Sequence, residues 1–287
     1  MRFTEDFKDY ELIDAEGGER LERWKDIILI RPDPQVIWQG ERKNPLWNNA
    51  HAIYHRSNSG GGYWEPLKKV PDVWSVDFNE LTFRLKPMGF KHTGLFPEQS
   101  VNWQFMQNKI KNANREVSVL NLFAYTGGAT IACLSAGAKV THVDASKGMV
   151  SWAKENAVVS GLGDKPVRWL VDDCLKFVKR EIRRGNKYDG IVMDPPSYGR
   201  GPNGEVWKLE QQINELLSEV GKIMSDRPLF FLLNSYTGGL SPTILNYMVK
   251  SLIAPDNRGT VFTDEIGLKI TDRDMVLPCG NTTIWTD

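Results

Sequence analysis

The chain has 287 residues, 41% hydrophobic and 25% charged, and its 36 basic residues balance 36 acidic ones. Those proportions exclude a disordered chain and allow one large domain or two. No stretch is long and apolar enough to span a bilayer, residues 1–30 lack a signal-peptide pattern, and the zero net charge gives no global signal for a polyanionic partner.

Residues 1–18 are acidic and weakly patterned. From Trp24 to Lys86 the composition predicts short strands at 26–30, 35–38, 49–54, 62–65, 73–77 and 81–85, the last two joined by a turn-like Phe78-Asn79-Glu80. Turn material separates them, including Pro32-Asp33-Pro34 and the segment 58–62. The expectation is a small antiparallel β domain. Its tryptophans Trp24, Trp38, Trp47, Trp64 and Trp74 serve either as core or as a stacking platform for bases.

A helix over 97–112 follows, opened by Pro97 and Glu98. Strands are then predicted at 117–123, 138–143, 167–171, 188–193 and 229–233. Helices alternate with them at 126–134, 146–160, 174–184, 207–224 and 241–251. Segments 260–270, 275–277 and 282–285 suit an antiparallel finish. This alternation predicts an α/β fold with a mostly parallel sheet flanked by helices. The domain boundary is expected near 86–96, giving a β-rich domain at 1–88 with a possible substrate-recognition role and an α/β domain at 89–287. Cys133, Cys174 and Cys279 have no paired spacing, and the four histidines form no ligand cluster. Neither disulfides nor a metal site are expected, which suits a reducing compartment, most simply the cytoplasm.

The strand tips carry the chemistry. Asn121-Leu122-Phe123-Ala124-Tyr125-Thr126-Gly127-Gly128 reads as strand, tight turn and helix start, with exposed N–H groups at the turn. Its spacing matches neither a dinucleotide fingerprint nor a phosphate loop. The next strand ends in Asp144, placed to accept both hydroxyls of a ribose or to cap the helix with Ser146. The third ends in Asp172-Asp173-Cys174. There Asp173 can accept from an adenine amino group and the following N–H can serve a ring nitrogen, although helix capping competes for the acid. The fourth runs Gly-Ile-Val-Met into Asp194-Pro195-Pro196-Ser197-Tyr198. The prolines end the strand and leave a carboxylate, outward carbonyls and an aromatic ring, a set suited to gripping a flat heterocycle that bears an amino group.

Acid-bearing tips and a glycine turn without phosphate-binding cations fit an adenosine cofactor lacking a pyrophosphate. With Asp-Pro-Pro at the fourth strand, the chain resembles the S-adenosylmethionine-dependent methyltransferases with a Rossmann-like sheet. More narrowly it resembles the bacterial 23S ribosomal RNA methyltransferases acting on cytosine C5 or guanine, over roughly residues 86–280. The resemblance implies S-adenosyl-L-methionine as cofactor. It would be lined by Asn121, Phe123, Tyr125, Thr126 and Gly127, by Asp144, Ala145 and Ser146, by Asp173 and Cys174, and by Asp194. Residues 89–99, Gly-Phe-Lys-His-Thr-Gly-Leu-Phe-Pro-Glu-Gln, extend it and bring in Lys91, Thr93, Phe96 and Gln99.

The implied catalytic set is Asp194, Pro195, Pro196, Tyr198 and Asn234. Cytosine-C5 relatives carry a cysteine just after the fifth strand, whereas this chain reads Leu233-Asn234-Ser235-Tyr236. The departure favours an exocyclic amine, guanine's above all, over addition of a thiolate to the ring, for which Cys279 is the late alternative and Cys133 and Cys174 read as structural. RNA, ribosomal by preference, is the expected partner, with no metal and no membrane. A small molecule or protein substrate is the alternative, and a non-catalytic cofactor-binding protein a third. Two local features bear on RNA. Lys176, Lys179, Arg180, Arg183, Arg184 and Lys187 line one helical face, a phosphate track or a solvated surface. The segment 199–205 reads as a mobile lid in which Arg200 meets a phosphate.

Overall fold

The computed structural model describes residues 1–57, 61–200, 206–254 and 258–287. The chain divides into two compact units, Met1–Val101 with Ile266–Cys279, and Asn102–Glu265 with Gly280–Asp287.

The first unit holds β1 (Arg2–Thr4), β2 (Tyr10–Glu16), β3 (Glu19–Trp24), β4 (Ile27–Pro32), β5 (Ala52–Arg56), β6 (Gly62–Pro66), β7 (Trp74–Phe78) and β8 (Leu81–Leu85). Pairing is antiparallel for β2/β3, β3/β4 and β5/β6, and β7/β8 form a separate hairpin. The expectation of a wholly antiparallel domain is corrected, because β4 and β5 are parallel. So are β1 with Ile266 to Leu268, and Leu12 with Ile270. Also corrected is the strand expected at 35–38: Asp33 turns the chain there, its carboxylate accepting from the Gln35 N–H at 2.9 Å.

Residues 1–18, which carry no readable pattern, are largely strand. Hydrophobic alternation is missing because buried positions of β2–β4 are filled by paired charges. Glu22, fully buried, accepts from Tyr10 Oη at 2.7 Å and from Arg31 Nε and Nη2 at 2.5 and 2.8 Å, with Arg20 3.4 Å away. Of the tryptophans, Trp24 and Trp47 are buried, and the indoles of Trp38, Trp47 and Trp64 donate to Ala15, Asp14 and Met88. These contacts tie the domain's own chain together.

The second unit begins with α1 (Ser100–Asn112), which the 3₁₀ turn Pro97–Gln99 precedes in the chain. It continues through β9 (Ser118–Leu122), α2 (Gly128–Ser135), β10 (Lys139–Asp144), α3 (Lys147–Val159), β11 (Val167–Val171), α4 (Cys174–Arg184) and β12 (Gly190–Met193). A short ribbon of β13 (Tyr198–Arg200) and β14 (Val206–Lys208) leads into α5 (Leu209–Gly221), β15 (Phe230–Ser235) and α6 (Pro242–Leu252). The last strands are β16 (Thr260–Ile270) and β17 (Met275–Thr286). The sheet order is β11-β10-β9-β12-β15-β17-β16. The first five strands pair in parallel, and β17 joins β15 antiparallel. The fold is a Rossmann-like α/β sheet with parallel pairing in the majority.

Apolar side chains of β9, β12 and β15 (Leu120, Leu122, Ile191, Met193, Phe231 and Leu233) pack against Phe177 of α4, Ile213 and Leu217 of α5, and Leu245 of α6. A Cβ on Gly190 would lie 2.4 Å from Phe230 Cζ, so glycine is what lets β12 and β15 close up there. The helix expected over 207–224 starts instead at Leu209. Residues 206–208 are held in the ribbon, and the Lys208 N–H donates to Gln212 Oε1 at 2.8 Å, which marks the helix start. This strand order positions the site. After β9 the chain builds outward through β10 and β11, then crosses back to lay β12 on the other side of β9. Ligands of open α/β sheets bind at the carboxyl ends of the strands flanking such a reversal.

Candidate active site

The turns after β9 and β12 meet at that reversal. Met193 lies opposite Leu122, and the Asp194 N–H donates to the Leu122 carbonyl at 3.3 Å. The glycine turn is held in left-handed backbone not only at Gly127 (φ 87°) but at Phe123 (φ 55°) and Tyr125 (φ 50°). Aromatic residues adopt that region rarely, and such strain persists where surroundings enforce it, often at ligand sites. The enforcement is visible. Phe123 N–H donates to Cys174 Sγ at 3.4 Å, Ala124 N–H to the Val143 carbonyl at 3.1 Å, and Tyr125 N–H to Asp144 Oδ2 at 2.8 Å. Asn156 of α3 holds the Thr126 carbonyl at 2.9 Å. A Cβ on Gly127 would fall 2.9 Å from that of Ala153, and one on Gly128 2.7 Å from the Trp103 ring.

Asp144 ends β10 with its second oxygen accepting from the Ser146 N–H at 2.8 Å. Burial pushes this carboxyl above the usual range, and the two N–H bonds oppose that. Each oxygen has a lone pair beyond the one bonded to backbone, so the fixed carboxylate has capacity for two hydroxyls. Ala145 and Ser146 are exposed beside it, and the Ser146 hydroxyl caps α3 at Met149. Asp173 caps α4, its Oδ1 accepting from Lys176 N–H at 2.8 Å, while Asp172 is ion-paired with Arg180. Cys174, the first residue of α4, is buried.

At the target end Pro195 is buried, whereas Pro196 and Tyr198 are exposed. The Pro196 carbonyl accepts from the Trp207 indole at 2.6 Å, so it is engaged within the protein, and the Trp207 ring packs 5.2 Å from that of Phe123. Trp207 was not legible as a site residue: the ribbon brings it back across eleven residues, and no local pattern marks it. Asn234 is buried with its amide oxygen accepting from Asn102 Nδ2 at 3.1 Å and Thr282 Oγ1 at 2.8 Å. Asn121 is likewise buried, donating to Thr130 Oγ1 at 2.9 Å, and Thr126 is buried beside the turn. Both asparagines thus act from inside the sheet.

Lys91, Thr93, Phe96 and Gln99 belong to the first unit. There the Lys91 ammonium donates to the Pro32 carbonyl at 3.3 Å. Burial first, then the charge of Arg20, brings it down to about 8. Thr93 and Gln99 are buried, and the Phe96 ring lies 5.0 Å from His92. Of the six basic residues around α4, at least four spend their charge on neighbours: Lys179 on Glu215, Arg180 on Asp172, Arg184 on Glu181, and Lys187 on the Lys222 carbonyl. Of the lid expected at 199–205, residues 199 and 200 belong to β13, while 201–205 and the Arg200 side chain lie outside the described residues. Among the described residues no group of three or more His, Cys, Asp or Glu side chains is placed to hold a metal ion, and no helix is long and apolar enough to cross a membrane.

The donor set at this edge suits an adenosine: a strained glycine turn with no cation for a pyrophosphate, a fixed carboxylate on β10, and an acid followed by a helix-start N–H after β11. Residues 50–227 match the model of the S-adenosylmethionine-dependent methyltransferase family. The chain belongs to that family. It is an enzyme whose cofactor is S-adenosyl-L-methionine, as the sequence resemblance implies. A crystal structure of an S-adenosylmethionine-dependent methyltransferase from Agrobacterium tumefaciens superposes with a TM-score of 0.94 at 34% identity, covering 99% of this chain and 92% of that one. The ribosomal RNA large subunit methyltransferase K/L of Shewanella frigidimarina is 35% identical over 145 residues, 50% of this chain and 20% of that protein. Its counterpart in Pseudoalteromonas atlantica is 32% identical over 167 residues, 58% of this chain and 23% of that protein. The chain therefore spans about a fifth of the length of these curated relatives.

Proposed function

We propose that this methyltransferase acts on RNA, ribosomal by preference, and that its target atom is an exocyclic base nitrogen, guanine's above all. The observation that carries the reading is the junction of β9 and β12. Asp194 there stands one hydrogen bond from the end of the glycine-turn strand, at an edge that holds no reactive thiol. Burial pushes the Cys174 thiol far up, so it stays protonated, and Cys133 is buried with the same consequence. Burial pushes the Cys279 thiol well above its usual range too. The RNA preference rests on the names of the ribosomal RNA methyltransferase relatives.

When bound, S-adenosylmethionine supplies a methyl group on a cationic sulfur with a neutral leaving group, so alignment carries most of the catalysis. In this reading Asp144 accepts the ribose hydroxyls, while Asp173 and the Cys174 N–H take the adenine edge. Asp194 and the Pro195 carbonyl accept the two amine protons of the target base and so orient its nitrogen lone pair. Tyr198 stacks on the base. Asn234 and Asn121 brace the strand ends from within. The basic residues of α4 that are paired inside the protein favour the second reading, a small-molecule or protein substrate.

The deciding experiment is transfer of labelled methyl to RNA from cells lacking the protein, followed by nucleoside analysis. Label in N-methylguanosine is expected. Label in 5-methylcytidine refutes the amine assignment, and absence of label from all RNA refutes the RNA reading. Asp194→Asn should lose about a hundredfold in turnover while cofactor affinity stays within about threefold. Full activity in that variant removes Asp194 from the mechanism.

A further inference from the structure

Two consecutive prolines have no N–H to anchor them, so the Asp194–Tyr198 turn is held by its neighbours' N–H and by what its carbonyls accept. Three bonds contribute, alongside the β13/β14 pairing of Tyr198 with Lys208. Asp194 N–H reaches Leu122, the Ser197 carbonyl accepts from Leu209 N–H at 3.1 Å, and the Pro196 carbonyl accepts from the Trp207 indole. A residue that precedes proline is confined to extended backbone. That confines Asp194 and Pro195, but it leaves ψ of Pro196 unrestricted. The Pro196 carbonyl direction reports that torsion, one of those that set how far Tyr198 stands from Asp194 and the Pro195 carbonyl.

We infer that Trp207 is a positioning residue: its indole N–H fixes the Pro196 peptide and so sets the distance between the amine acceptors and the stacking ring. Its own ring is seated by two contacts. Gly199 lies opposite Trp207 in the ribbon, and the ring of Phe123, in its left-handed conformation, lies 5.2 Å from the indole at a tilt of 48°. Trp207 therefore touches both the cofactor turn and the target turn, and connects the registration of one to the other. The inference rests on the proposed amine chemistry for its catalytic consequence, but not for the restraint itself.

The test compares the full-length protein with Trp207→Phe, which keeps an aromatic ring on Phe123 and removes the N–H. Hydrogen exchange read by mass spectrometry should quicken about tenfold in peptides spanning 197–209 and stay unchanged in those spanning 118–130. Equal exchange in the two proteins overturns the restraint, whatever the substrate is. With labelled methyl and RNA, Trp207→Phe should lose about tenfold in kcat, with S-adenosylhomocysteine affinity within about twofold. In a Tyr198→Ala background the same change should cost less than about twofold, because the ring being positioned is already gone. Additive losses, or a loss of cofactor affinity equal to the loss of kcat, overturn the positioning role. A wild-type protein that labels no RNA refutes the substrate reading alone, and the exchange measurement still decides the restraint.

Discussion

Acidification should destabilise this protein through His142, and the structure sets the size of the effect. The ring is fully buried on β10, 4.9 Å from Trp169. Thr130 Oγ1 accepts from Asn121 Nδ2 and shares a 2.9 Å hydrogen bond with His142 Nδ1. Burial, then the charge of Lys154, brings the ring down to about 3. In the unfolded chain a histidine titrates near 6.5. Between those values the unfolded state binds a proton that the folded state refuses. The stabilising contribution is complete above about pH 6.5 and is lost as pH falls toward 3. From pH 7.5 to 5.0 the loss is about 2 kcal/mol for this one group. Urea unfolding followed by tryptophan fluorescence at the two pH values measures it. His142→Gln should lose about 2 kcal/mol less than wild type over that interval. Identical losses in wild type and variant would refute the assignment of a buried neutral ring.

The remaining predictions concern neighbouring features. Glu22→Gln leaves Arg20 and Arg31 short of their buried counter-charge, and should cost about 3–5 kcal/mol in the same urea measurement. Gly127→Ala combines a left-handed backbone with a Cβ 2.9 Å from that of Ala153, and should cost about 1–3 kcal/mol together with weaker S-adenosylhomocysteine binding by calorimetry. Cys133 and Cys174 should resist a thiol-modifying disulfide reagent at pH 7 in the native protein and react once it is unfolded in urea. Prompt native-state labelling of either would show that its burial is misjudged. Cys279→Ser should transfer methyl at the wild-type rate, since the proposed chemistry uses no thiol nucleophile.

Much of the α/β half was legible because its signals are local. Buried parallel strands read as short apolar runs, glycines mark the turn after β9, and Asp-Pro-Pro ends β12 by a covalent restriction that needs no partner. The N-terminal half was less legible. In β2–β4 Glu22, Arg20 and Arg31 occupy positions that apolar residues would otherwise fill, and only their mutual pairing makes that tolerable. The absence of Gln35–Trp38 from the sheet follows from the Asp33 turn.

The sequence by itself determined the alternation of elements, the acids at the strand tips and the lack of a cysteine after β15. Tertiary structure alone decided which tips adjoin. The crossing that lays β12 beside β9 brings Asp194 to the glycine turn, and the ribbon returns Trp207 to Pro196. The first is a long-range pairing and the second closes an eleven-residue excursion. Their stability comes from burial and hydrogen bonds between different segments, which no local residue pattern encodes.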